Sequence, residues 1–168
     1  MPITMYTASV PRLANILKNV SQFLTKAEAY AVARKIDPAV LLSSRLFPDM
    51  FPLIRQVQIA CDHAKGSVAR LADMEVPKHE DAEQGFAELQ QRIAKVIAFI
   101  ESVPAERFDG SEERNIVLTL RDREITFNGL QYLTGFALPN FYFHVVTAYN
   151  ILRHNGVDLG KRDFIGNP

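Results

Sequence analysis

Apolar residues recur along most of the chain at spacings of three and four, the pattern of helices that bury one face. From about residue 4 to 20, Tyr6, Val10, Leu13, Leu17 and Val20 form such a stripe, continued by Leu24, and Pro11 predicts a kink or a first turn. Thr25-Lys-Ala-Glu has a capping-box pattern and predicts a second short helical run, while Asp37-Pro38 opens another, since Asp caps free amides and Pro is tolerated at the first helical position. Pro48 and Pro52 then interrupt the chain. A long helix is predicted over about 51–72, with Ile54, Val57, Cys61, Ala64, Val68 and Leu71 on its stripe. The pattern returns over about 81–103 with Phe86, Leu89, Ile93, Val96, Ile97 and Ile100, and Pro104 stops it.

The period changes to two where Ile116, Leu118 and Leu120 alternate with Val117 and Thr119, and Ile125 and Phe127 with Glu124 and Thr126. This predicts a β-hairpin with Arg121-Asp122-Arg123 as its turn, closed by Asn128-Gly129. A loop is expected next, then a last helix over about 139–154 capped by Gly156, and a short surface-packed tail. Three or four long amphipathic helices with one hairpin before the last predict a mainly α fold, a four-helix bundle.

Composition narrows the function classes. The 168 residues, 48% of them apolar, are expected to form one domain over residues 1–168. Lys plus Arg and Asp plus Glu number 19 each, so the net charge is zero. No broad phosphate-neutralising surface is expected, and nucleic acid is excluded as a dedicated partner. The single cysteine, Cys61, rules out an intrachain disulfide and a Cys-rich zinc site. No basic stretch followed by an apolar run marks a signal peptide, and no membrane partner is expected, so a cytoplasmic protein is the default.

Strong catalytic signatures are missing: there is no phosphate-binding Gly loop, nucleophile elbow, His-Glu-x-x-His or Cys-x-x-Cys. Histidine placement remains. On a wheel of ~100° per residue, Asn140 and Thr147 lie within about 60° of His144 and Arg153 lies opposite, so His144 points inward. The plainer alternative is a core histidine satisfied by a neighbouring polar group. On the helix of about 51–72, Arg55, Gln58, Asp62 and Lys65 mark the solvent pole, whereas Gln56, His63, Ser67 and Arg70 share a facet beside the Cys61 stripe, as a polar pocket wall requires. The alternative there is a half-exposed polar flank. Cys61 reads as an inert core residue, His79 falls in a loop, and His154 complements a helix C-terminal dipole.

One histidine midway along the second long helix and another on the last helix, before a Leu-Arg-x-x-Gly-Val ending, resemble the DinB-like, YfiT-like metalloenzyme superfamily. The segments Phe47-Pro-Asp-Met-Phe-Pro-Leu, Gln56-Val-Gln-Ile-Ala-Cys-Asp and Phe143-His-Val-Val-Thr-Ala-Tyr-Asn-Ile-Leu-Arg, with Gly160-Lys-Arg-Asp-Phe, are closer still to an uncharacterised bacterial and fungal branch of it. The likeness covers essentially the whole chain. It implies a four-helix bundle, often dimeric, with a divalent metal such as zinc, nickel or manganese on three histidines, and a thiol-transferase or hydrolase activity. The first of those histidines matches His63 and the last-helix pair falls at Asn140 and His144. Position 140 is Asn, and an amide carbonyl is a much poorer ligand than imidazole, so the metal is expected to bind weakly or not at all.

Three functions follow as expectations: an enzyme with a weakened metal site at His63, Asn140 and His144; a non-catalytic small-molecule binding bundle; and a structural dimer. His63 and His144 should converge if their helices pack side by side. A homodimer is expected because the face of Tyr142, Val146 and Tyr149 is apolar or aromatic, unless the hairpin or tail covers it.

Overall fold

The computed structural model describes residues 3–120 and 122–166. Its frame is four packed helices, α1 (Met5–Arg34), α3 (Leu53–Leu71), α4 (Phe86–Ser102) and α6 (Leu138–His154), with a short α2 (Pro38–Ser43) after the first. Helix α3 is the hub, packing against α4 on one side and α6 on the other, while α1 closes the bundle against α4. Leu17, Phe23, Leu53, Leu89, Ile93, Phe141 and Ile151 fill the interior. A hairpin of β1 (Asn115–Leu120) and β2 (Arg123–Asn128) precedes α6, with Ile116 opposite Phe127 and Leu118 opposite Ile125. The expected hairpin turn starts at Arg121, which lies outside the described residues. Among the described residues no helix is long and apolar enough to cross a membrane.

Several elements differ from the sequence expectation, each for a physical reason. No second helix starts at Thr25: α1 runs on to Arg34, because Phe23, Leu24, Ala27 and Ala31 extend its buried stripe and the Thr25 hydroxyl bonds back to the Ser21 carbonyl instead of capping. Pro11 lies inside this helix. Helix α4 begins at Phe86 rather than near residue 81, because Glu88 accepts the Gly85 N–H at 3.0 Å and the carboxylates of Asp81 and Glu83 are drawn to arginines. Residues 73–85 thus form a strap across α3 and α4.

The expected loop before the last helix is helical. A single turn, α5 (Gly129–Gln131), leads through a π-helical segment, Tyr132–Ala137, directly into α6. Pro139 has no N–H for an α-type bond, and the wider ladder before it, ending with Leu138 N–H on the Leu133 carbonyl, carries the chain helically up to the proline. Gly156, at φ +92°, ends α6 as expected.

The tail forms α7 (Lys161–Ile165) and lies on α1. Asn19 donates to the Phe164 carbonyl at 2.9 Å, and Lys26 pairs with Asp163 at 2.7 Å. Phe164 packs edge-on against Tyr149, with ring centres 6.2 Å apart. The chain's own tail therefore covers part of the face that suggested a dimer: Tyr142 and Tyr149 are half-buried, while Val146 stays exposed.

Candidate functional site

Gln56, His63 and Arg70 recur every seven residues along α3, close to two helical turns apart, so they share one face. That face meets α6, which presents His144. The rings of His63 and His144 lie 5.7 Å apart at an interplanar angle of 16°. Both residues are half-buried.

The hydrogen bonds behind His144 set its tautomer. The Gln56 amide nitrogen donates to the Phe51 carbonyl at 2.9 Å, and a carbonyl can only accept, so the amide orientation is fixed. Gln56 Oε1 therefore faces His144 Nδ1 at 2.7 Å. Nδ1 must carry the proton, which leaves Nε2 with a lone pair. Burial, with the neighbouring His63 adding to it, pushes His144 down from 6.5 to about 4. Burial also lowers His63, helped by Arg70 and opposed by Asp62. At neutral pH the pair is two uncharged imidazoles, which can lie this close without repulsion.

Beyond His63 the rings continue. Phe136 sits edge-on to it at 6.1 Å and stacks on Tyr132 at 6.0 Å, with Phe127 of β2 against both. Arg70 Nη1 donates to the Tyr132 hydroxyl at 3.2 Å. Between α3, the π-helical segment and β1 lies a cavity of about 500 Å³ walled by Asp62, His63, Arg70, Val117, Leu118, Thr119, Tyr132 and Phe136. A second cavity, of about 560 Å³, lies under the strap among His79, Glu83, Arg92 and their neighbours.

The expected solvent pole of α3 is not solvent-facing. Gln58 and Lys65 are buried and Arg55 and Asp62 half-buried, because α4 and the strap cover that side with complementary charge. Arg92, its side chain 2% exposed, meets Asp62 at 2.8 Å, Asp81 at 3.0 Å and Glu83 at 3.0 Å. Lys65 adds a pair to Asp62 at 2.7 Å, Arg55 pairs with Asp81, and Gln58 donates to Glu83 at 2.8 Å.

Of the residues singled out from sequence, His63 and Arg70 reach the cavity and Gln56 acts through His144. Ser67 and Thr147 are buried with their hydroxyls bonded back to the Ala64 and Phe143 carbonyls, at 3.0 and 2.7 Å, and neither is among the residues that wall the cavity. Asn140 Nδ2 donates to the Phe136 carbonyl of the preceding π-helical segment at 2.7 Å. Sequence reasoning missed Tyr132 and Phe136, whose four-residue spacing signalled a helical face in a segment read as loop. It also missed Val117 and Thr119, the hairpin positions opposite to the buried Ile116 and Leu118. Cys61 is fully buried, and desolvation pushes its thiol up to about 12, so it stays protonated and inert.

Residues 5–165 match the family described as a domain of unknown function (DUF1993). The chain belongs to this family. The DUF1993 chain is also similar to a DinB family member protein from Shewanella denitrificans, solved by crystallography: 44% identity, a TM-score of 0.92, 98% of this chain and 93% of that chain covered. The fold is accordingly DinB-like. No curated protein matches.

A three-histidine metal centre does not fit the DUF1993 site. It holds two imidazoles, His63 and His144, the latter with its Nδ1 proton on Gln56 and its Nε2 free, and at the third position the Asn140 amide, whose carbonyl oxygen is a much poorer ligand than imidazole. Among the described residues no group of three His, Cys, Asp or Glu side chains could hold a metal. A divalent catalytic site uses three such protein ligands and keeps one position open.

Proposed function

We propose that this protein binds a small organic molecule in the cavity beneath the hairpin, directly and without an intervening metal. The supporting observation is the wall itself: stacked aromatic rings and aliphatic strand residues beside a guanidinium, a phenol and a neutral imidazole in about 500 Å³. Mixed apolar lining with a few converging polar groups at that size is what small-molecule sites present. The competing reading is a metal-dependent thiol transferase or hydrolase, favoured by the 5.7 Å approach of His63 to His144.

One experiment separates them. Chelator-treated protein is melted with millimolar benzyl alcohol, a neutral ring-sized probe, and separately with one equivalent of zinc, nickel or manganese. A ligand that binds the folded state alone raises the melting temperature. The expected result is a rise with benzyl alcohol and none with the metals. Retention of about one equivalent of metal, with a higher melting temperature lost in His63→Ala and His144→Ala, would overturn the proposal.

A further inference from the structure

We propose that Arg70 and Tyr132 hold the carboxylate of an organic acid whose flat apolar body rests on Phe136 and Val117. This rests on the reading of the cavity as a small-molecule site and names its ligand class. Among the described residues two charged side chains line the cavity, Asp62 and Arg70. Asp62 is spoken for: Lys65 and Arg92 both meet its Oδ1. The surrounding cluster balances, with Arg55, Lys65 and Arg92 set against Asp62, Asp81 and Glu83. Among the described residues Arg70 has no carboxylate partner, and its one side-chain bond goes to the neutral Tyr132 hydroxyl. The cavity therefore carries one uncompensated positive charge, which a monoanion would neutralise.

Donor geometry agrees with charge. A guanidinium has five N–H donors in a planar fork that matches a carboxylate, and Arg70 commits one of them to Tyr132. The Tyr132 oxygen accepts that bond and keeps its own proton for a ligand. Burial raises Tyr132 above its ordinary value despite the nearby Arg70, so the phenol remains a donor at neutral pH. His63, lowered by burial, adds no second cation. The two donors sit beside Phe136, which stacks on Tyr132 with ring planes 22° apart, so an acid group and an apolar body have adjacent places.

Gly66 belongs to the same arrangement. A Cβ there would lie 2.5 Å from Arg70 Nη1, so the missing side chain is what lets the guanidinium fold back toward Tyr132. Gly66 is mid-helix in α3, where alanine is the better helix former. Gly66→Ala is thus a variant that should keep the fold and displace the guanidinium.

The test is calorimetric titration of chelator-treated, full-length protein with benzoate and with its neutral analogue benzamide. The wild-type protein should bind benzoate about 10-fold more tightly than benzamide, the scale of one charge-assisted bidentate contact. Arg70→Met and Gly66→Ala should erase that preference, benzoate falling to the affinity of benzamide, and unchanged melting temperatures of the two variants show that both fold. Tyr132→Phe should weaken benzoate several-fold and benzamide less. Equal affinity of the wild type for the two probes overturns the carboxylate assignment and leaves the cavity reading standing. Binding of neither probe, nor of benzyl alcohol, overturns both.

Discussion

Gln56 serves two partners at once, the Phe51 carbonyl and His144 Nδ1, and so decides which nitrogen of His144 is free. Replacing it with a carboxylate changes the charge it offers but not its reach. In Gln56→Glu the imidazolium gains an adjacent anion, so His144 should titrate well above about 4. Imidazole proton shifts followed by NMR from pH 3 to 8 check this, and an unmoved midpoint would show that Gln56 does not face the ring. The same residue predicts a pH dependence of stability. A histidine lowered in the folded state is neutral there while the unfolded chain takes up a proton, so its contribution is complete above the unfolded value of about 6.5 and is lost as pH falls toward 4. Urea midpoints should therefore drop between pH 7 and 5, above the range where carboxylates titrate. His144→Gln should flatten part of that slope, the remainder belonging to His63 and His79, which shift the same way. At this scale the sequence showed that His63, Arg70 and His144 face inward. It did not show Ser67 and Thr147 turned onto their own helices, because short hydroxyl side chains find a carbonyl three or four residues back whatever face they occupy.

Among the elements, the strap of residues 73–85 is held mainly by charge. Arg92 is almost fully buried against Asp62, Asp81 and Glu83, and among the described residues its Nε has no partner. Its carboxylate partners are wetter, Asp81 exposed and Asp62 and Glu83 half-buried, so removing Arg92 costs less than the ~3–5 kcal/mol of breaking a fully buried pair. Arg92→Met should show a loss of about 1–3 kcal/mol in urea unfolding, the range of hydrogen bonds to charged groups; a loss below about 1 kcal/mol, the range of exposed pairs, would mean that the cluster is effectively solvated. Asp81 and Glu83 sit below the usual carboxylate range despite the opposing effect of burial, because of their bonds to arginine. Their contribution persists at neutral pH and is lost as acid protonates them, so amide protection in the strap, corrected for the intrinsic exchange rate, should fall below about pH 4. Element by element, the long apolar stripes were legible because helical period and burial agree. The strap was not, since Asp81 and Glu83 continue a plausible helix start and only the distant Arg92 reveals why they leave it. The helical segment over 129–137 was missed because Asn128-Gly129, Gly135 and Pro139 read as loop punctuation, although the rings of Tyr132 and Phe136 hold it helical.

For the molecule as a whole, the bundle positions the site by bringing α3 and α6 together, with β1 beside Asp62, His63 and Arg70 of α3. The order of elements was legible, since one period change marks the hairpin within an otherwise helical pattern. The tail's role was legible only as the alternative to a dimer, because α7 is five residues long and is ordered by its contacts with Asn19, Lys26 and Tyr149. Phe164→Ala should cost about 1–2 kcal/mol, less than a full core truncation because the ring is half-buried. At this chain length that lowers the melting temperature by a few degrees; no change would show that the tail does not close that face. The central claim is that the cavity between α3 and the hairpin takes an organic ligand without a metal. Anomalous diffraction from zinc-soaked crystals tests it most directly. The account predicts no anomalous peak within about 2.1 Å of the His63 or His144 ring nitrogens, the usual zinc-to-imidazole distance, whereas a peak shared by both histidines at that distance would contradict it.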